Sequence, residues 1–263
     1  MGGEHRIKFP NIRMSGTSWV VPRTLAENLR YLSREVNDME IVLFDTPQGS
    51  NIPTKDEVLE LRGLCGELGM TCNVHFPFGV CGQEDEAEIT RYDDSCMRMI
   101  ELFEPLEPSA WVLHIDGNVR RTGTPSDNID KWRENARKSL ARIGSSVPDK
   151  KKICAETLDY DFDYVFDIVK EAGLSVCLDI GHLIIGGYPV RERIEKYLPD
   201  AGVVHIHGVR PDGTDHVDMS YFDPALFRRI VSLCADGRER IMSIEVFEED
   251  YDKSIAAIKG FSI

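Results

Sequence analysis

The sequence predicts an α/β fold, a single (β/α)8 barrel over residues 1–263, and three observations carry that reading. Short apolar runs alternate with amphipathic stretches through eight rounds. The runs are apolar enough for a parallel sheet covered by helices on its outer face. No GxGxxG follows the first run and no GxxxxGK[ST] occurs, so a doubly wound nucleotide-binding sheet lacks its fingerprint. Eight strand–helix units in a chain of 263 residues suit a closed barrel.

Residues 1–10 read as an irregular lead-in. The expected strands are IRMSGTS (12–18), MEIVLFD (39–45), MTCNVHF (70–76) and AWVLHID (110–116), then KICAETL (152–158), LSVCLDIGH (174–182), GVVHIHG (202–208) and RIMSIEVF (240–247). Helical patterns lie between them at 22–36, 55–69, 95–103, 129–144, 163–173, 190–198 and 222–234. Several place apolar residues at i, i+3, i+4 and i+7. In GELGMT and EAGLSV a glycine stands where a helix must stop before the next strand. Residues 117–128, GNVRRTGTPSDN, are too polar for a core and read as a long loop after the fourth strand.

The chain carries 45 acidic and 31 basic residues, a net charge of -14. That charge repels a phosphate backbone, and no basic stripe offsets it, so nucleic acid is not the expected partner. No apolar run reaches the ~18 residues of a membrane helix, and MGGEHRIKF has no apolar leader core, so a cytoplasmic protein is expected. The seven cysteines are odd in number and form no CxxC, which reads as reduced, structural thiols.

The histidines are the informative residues. His75, His114, His182, His205, His207 and His216 all lie at the C-terminal end of an expected strand or in the loop after it. Glu156, Asp179 and Glu245 occupy the ends of the fifth, sixth and eighth strands. In a barrel those ends share one mouth, where active sites sit. Residues two apart on a strand face the same side, so His205 and His207 point inward if Val204 and Ile206 face the helices. A strand-end histidine taken singly is more often structural. So many imidazoles and carboxylates at one mouth read as a divalent transition-metal site for Zn, Mn, Fe or Co, with more than one ion.

The order of these residue types resembles the xylose-isomerase-like TIM barrels, a superfamily of sugar isomerases, epimerases and endonuclease IV. The resemblance implies Glu156, Asp179, His207 and Glu245 as the central metal ligands, leaving His205 as support from deeper in the barrel. The endonuclease IV branch adds ligands that match His75, His114, His182, Asp215 and His216; its Asp-x-His stands here as adjacent Asp215-His216. The stretches GTSWVVP, VHFPF, LEPSAWVLHIDG, SVCLDIGHLIIGG, KYLPDAGVVHIHGV and SIEVF are similar to the cobamide-remodelling phosphodiesterases. That likeness implies hydrolysis of the phosphodiester in the nucleotide loop of a corrinoid.

Two activities therefore stand open at this point. In a metal-dependent phosphodiesterase, Glu156 and Glu245 would be shared ligands at the reacting centre. In a sugar or sugar-phosphate isomerase or epimerase, they would be an acid/base pair around one metal. An endonuclease and a non-catalytic binding barrel are weaker alternatives. Trp19, Phe76, Phe78 and Tyr221 could wall a flat substrate, and Arg13, Arg120, Arg121 and Arg210 could hold its anionic or amide groups. For each of these, core packing or a surface charge is the competing role.

Overall fold

The computed structural model describes residues 6–77, 79–81, 85–117 and 123–261. The eight barrel strands are β1 (Ile12–Thr17), β2 (Asp38–Val42), β3 (Thr71–His75), β4 (Trp111–Leu113), β5 (Ile153–Glu156), β6 (Ser175–Asp179), β7 (Ala201–Ile206) and β8 (Arg240–Ile244). They pair in parallel in chain order, and β8 closes on β1. A (β/α)8 barrel results, as the alternation predicts.

The helices are α1 (Leu25–Leu32), α2 (Lys55–Leu68), α3 (Glu86–Phe103), α4 (Ile129–Gly144), α5 (Phe166–Glu171), α6 (Ile180–Ile185), α7 (Val190–Tyr197), α8 (Pro224–Cys234) and α9 (Glu249–Gly260). Local chemistry sets their ends. Thr24 with Glu27, and Thr54 with Glu57, form reciprocal caps that satisfy the free N–H groups of α1 and α2. Gly69 takes the left-handed conformation, φ 61°, that closes α2 before β3.

The departures from the sequence reading have physical causes. α3 starts at Glu86 rather than 95, because Asp85 caps it through the N–H of Glu88. α9 was not expected; its buried face is Tyr251, Ser254, Ile255 and Ile258. The fourth strand leaves the barrel at His114, whose carbonyl accepts from the Val80 N–H at 2.8 Å. The chain then pairs Ile115–Asp116 with Val80–Cys81, outside the barrel. The sixth strand ends at Asp179, which caps α6 by accepting from the His182 N–H at 2.7 Å.

Alternation along the strands sorts the residues. Outward-facing Val74, Trp111, Leu113, Val176, Leu178, Val204, Ile206, Met242 and Ile244 join the large core beneath the helices. Inside the barrel, Ala110, Val112, Cys154, Cys177, Val203 and Ile241 form a small apolar plug of their own. Near the N-terminal end, buried Asp38 accepts from Ser15, Asn73 and Ser109 at 2.7 to 2.9 Å and from Thr71. Above the plug the interior turns polar, at the C-terminal mouth.

Candidate metal centre

Strand ends deliver the donors. His75 closes β3 and Glu156 closes β5; Asp179 closes β6; His205 lies in β7, with His207 just past it; Glu245 follows β8. His114 stands where the fourth strand turns away. His75, Glu156, Asp179, His205, His207 and Glu245 are all buried, at 7% exposure or less.

Glu156 is the hub. Its Oε2 lies 3.2 Å from His75 Nε2 and 2.8 Å from His114 Nε2. Its Oε1 lies 3.3 Å from His205 Nδ1 and 3.7 Å from His182 Nδ1. His205 Nδ1 also faces Glu245 Oε2 at 3.1 Å and Asp179 Oδ2 at 3.7 Å. One carboxylate thus spans two donor sets, His75/His114/Glu156 and Glu156/Asp179/His205/Glu245, each with ligand atoms within 4.8 Å of one another. His182, His207 and His216 form another such group, and Cys177 approaches Glu156 and His205 from below.

His216 reaches the mouth because its loop folds back. Gly208 and Val217 pair as an antiparallel bridge, and the Arg210-Pro211-Asp212-Gly213 turn closes with a Gly213 N–H to Arg210 carbonyl bond of 2.9 Å. Proline suits the second position of such a turn, and Gly213 adopts φ 86° after it. His216 itself has φ 51°, a left-handed conformation that a non-glycine residue adopts at some cost. Its N–H donates to His207 Nδ1 at 3.0 Å and its ring stacks on that of His207 at 4.1 Å.

Backbone carbonyls orient the other rings. Nδ1 of His75 donates to the Phe76 carbonyl at 3.0 Å, that of His182 to Thr157 at 2.9 Å, and that of His216 to Glu245 at 3.1 Å. A carbonyl only accepts, so Nδ1 carries a proton and Nε2 is the nitrogen left for a cation to take, displacing any proton there. This is how ligating imidazoles are held in metal sites.

Charge is concentrated here. Burial favours the neutral forms, yet the neighbouring imidazoles hold Glu156, Asp179 and Glu245 below their ordinary values. Burial likewise pulls His75 and His182 down, but the carboxylates outweigh it and push both up to about 9. The donor set therefore favours positive charge at its centre. Asp179 Oδ2, Glu245 Oε2 and His207 Nε2 are buried without any hydrogen-bond partner. Buried polar atoms are rarely orphaned unless something absent satisfies them. Imidazole nitrogens and carboxylate oxygens are the donors borderline divalent cations take, so the residues fit such ions.

The eight expected metal residues, His75, His114, Glu156, Asp179, His182, His207, His216 and Glu245, all meet at this mouth. His205 Nδ1 faces all three carboxylates, whereas His207 turns its Nε2 to Asp179 Oδ1 at 3.3 Å, with its Nδ1 against the His216 N–H and the Gly208 carbonyl. Parity alone could not separate them, because both rings point inward. Asp215 stands outside the converging groups of the described residues. Arg13 lies at the opposite end of the barrel, paired with Glu239 at 2.6 Å. Arg120, Arg121 and Phe78 fall outside the described residues. Arg210 is exposed on the hairpin, over the ring of Tyr221 at 5.4 Å. The Phe76 ring, 3% exposed, stacks on Trp111, and Phe76 also lines the mouth. Trp19 packs on Phe44 at 5.5 Å and lines a cleft of about 570 Å³ formed by the loops after β1 and β2. The mouth itself is a cavity of about 480 Å³ lined by His75, His114, Glu156, His182, His216 and Glu245, with Tyr92 and Asp116 on its rim.

The profile of the xylose isomerase-like TIM barrel family matches residues 33–260. The chain belongs to that family. No curated protein sequence gives a significant match. Solved xylose isomerase-like barrels share the fold at low identity. The chain is similar to endonuclease IV from Thermus thermophilus, 16% identical over 95% of this chain and 98% of that one, TM-score 0.68. It is similar to 3-keto-D-glucoside 4-epimerase from E. coli, 12% identical over 95% and 98%, TM-score 0.70. An IolI protein with a bound zinc atom is 12% identical over 95% and 96%, TM-score 0.71. Among the described residues, no helix of this xylose isomerase-like barrel is long and apolar enough to cross a membrane.

Proposed function

We propose that this barrel is a divalent-metal-dependent phosphodiesterase acting on a small, bulky substrate, with the nucleotide loop of a cobamide as the leading candidate. The observation that carries the reading is the Glu156 carboxylate spanning two donor sets, with His75 and His114 on one side and Asp179, His205 and Glu245 on the other. A single-metal isomerase has no use for the first set. Zinc, manganese, iron or cobalt ions fit these donors.

Bound divalent cations would supply Lewis-acid stabilisation of a phosphoryl oxygen and acidify water. The chain's own residues do the rest. Glu156 fixes the spacing between the two donor sets, and Glu245 presents an orphaned oxygen toward the cavity. His182 and His216 line the far wall with Nδ1 tied to backbone carbonyls, which leaves Nε2 as the nitrogen each could give a cation. The walls exclude bulk water from the buried carboxylates, which strengthens every charge interaction inside.

Two features support the substrate class. The net charge of -14 disfavours a nucleic acid. The cleft carrying Trp19 meets the mouth at Val42, whose carbonyl accepts from Trp19 Nε1 at 3.1 Å, and its Trp19, Val21, Pro22, Ile52 and Pro53 offer apolar surface to a large flat ring. The resemblance to cobamide-remodelling phosphodiesterases narrows this to a corrinoid.

A second reading rests on Glu156, Asp179, His205 and Glu245, which make a complete four-donor set without the other histidines. That set alone would serve a sugar epimerase. Purified protein loaded with Zn2+, Mn2+ or Co2+ should be offered cobamides, bis(4-nitrophenyl) phosphate, free ketoses and aldoses, and abasic-site DNA. Release of a cobinamide species is the expected result. Turnover of a free sugar with no phosphodiester cleaved would sink the proposal.

A further inference from the structure

Glu40 lies outside every donor group, yet it is among the most deeply buried charges in the barrel. It sits in β2, level with Thr17 on one side and Asn73 on the other, and is 0% exposed. Its Oε2 lies 3.0 Å from His205 Nε2, and its Oε1 is buried with no hydrogen-bond partner. Among the described residues no lysine or arginine forms an ion pair with it; its one ionic partner is His205. An anion buried this way costs stability, so its presence points to a group that depends on it.

His205 is that dependent group. Its two nitrogens have different tasks: Nε2 meets Glu40, while Nδ1 faces Glu156, Asp179 and Glu245 at 3.1 to 3.7 Å. A neutral imidazole carries its proton on one nitrogen only, and Nδ1 can bind a cation only when that proton is on Nε2. With a cation held by the three carboxylates on the Nδ1 side, a carboxylate at Nε2, which accepts and never donates, keeps the ring's one proton there. It also fixes the ring's rotation and raises the basicity of the opposite nitrogen.

We infer that Glu40 is the positioning residue for His205, holding its ring so that Nδ1 serves the cation shared with Glu156, Asp179 and Glu245. This rests on the metal-centre reading proposed above. Glu40 itself touches neither cation nor substrate.

The test compares wild type, Glu40→Gln and Glu40→Leu, each stripped of metal and titrated with Zn2+ or Co2+ against a chromophoric chelator. Glu40→Leu should weaken one cation per chain by roughly 10–100-fold and leave the others unchanged, the usual range for removing such a partner. Cation affinity is the deciding readout, because loss of the buried Glu40–His205 pair can itself lower the melting temperature of the metal-free protein. Glu40→Gln keeps an acceptor oxygen of the same shape, so it should lose less affinity and shift the visible spectrum of bound Co2+. Wild-type affinity in Glu40→Leu overturns the inference. So does Glu40→Gln matching wild type in both affinity and Co2+ spectrum, which decides the matter if the leucine variant does not fold. A fallen metal-free melting temperature with unchanged cation affinity assigns Glu40 a purely structural role and also overturns it. A wild-type protein that binds no cation at all overturns the metal-centre reading itself, and this inference with it.

Discussion

The imidazole of His207 occupies the space that a Cβ on Gly181 would need. Gly181 lies in the first turn of α6, two residues after Asp179, and the ring that rests on it also stacks on His216. The glycine of LDIGH thus serves close approach between an element and an imidazole, not a turn. Gly181→Ala should force the ring out and disturb the hairpin that carries His216. Overpacking of this kind costs about 1–3 kcal/mol. Thermal unfolding should show the loss, and elemental analysis should show reduced metal content. An alanine variant with wild-type melting and metal content would mean the ring moves freely.

His205 and His207 should behave differently on truncation. His205→Ala removes the nitrogen that faces three carboxylate oxygens, so one cation per chain should be lost at stoichiometric loading. His207→Ala removes a ring set between the His216 N–H and Asp179, so it should loosen the 208–217 hairpin and weaken the His182/His207/His216 group while leaving that cation bound. Metal titration of both variants checks this. The reverse pattern would restore His207 as the central ligand.

The reason the sequence could not order these two histidines is geometric. Alternation says that residues 205 and 207 share a face, and both rings do point inward. It says nothing of height along the barrel axis, where one residue pair shifts a donor by about 7 Å. The strand-end positions of His75, Glu156, Asp179 and Glu245 were legible because apolar runs end there. Glu40 was not. It sits inside EIVLFD, where a carboxylate in an apolar run reads as a solvent-facing residue, and its partner lies 165 residues away. The break of the fourth strand at His114 was hidden for a similar reason: it depends on the Val80 N–H, a partner no local pattern supplies.

Away from the site, Asp163 should contribute to acid stability. Burial raises its carboxyl, but Lys196, Tyr197 and Arg193 outweigh burial and lower it from 3.8 to about 2. A depressed folded value means stability that is present above pH ~4, where the unfolded chain's aspartates are ionised, and lost as pH falls through about 2. The group is largely exposed, so solvent screening holds the contribution to ~1 kcal/mol or less. Melting curves of wild type and Asp163→Asn should separate at neutral pH and converge near pH 2. Curves with a constant offset across that range would remove Asp163 from the account.

Glu245→Gln tests the Glu156/Asp179/His205/Glu245 set without changing volume. Glu245 Oε2 is buried, orphaned and 3.1 Å from His205 Nδ1. The amide keeps the shape and loses the charge, so the fold should survive and turnover should fall by at least ~100-fold, the scale for removing one electrostatic contact at a reacting centre. Circular dichroism and steady-state rates on the same preparation decide it. A fully active variant would move Glu245 away from the reacting centre.

His75→Ala and His114→Ala separate the two activities most directly. Both rings bind the same oxygen of Glu156, and they meet edge to face at 4.8 Å, so neither can be lost without exposing that oxygen. In a phosphodiesterase with two donor sets, either variant should lose one cation per chain and all phosphodiester cleavage, while the cation at Asp179, His205 and Glu245 remains. In a single-metal epimerase the same variants should keep their cation and change mainly substrate affinity. The two histidines also differ in burial, 9% side-chain exposure for His75 against 34% for His114, so His75→Ala should additionally lower the melting temperature. Metal counts on both variants therefore separate a ligand role from a packing role. Equal metal content in wild type and both variants, joined to turnover of a free sugar, would favour the epimerase.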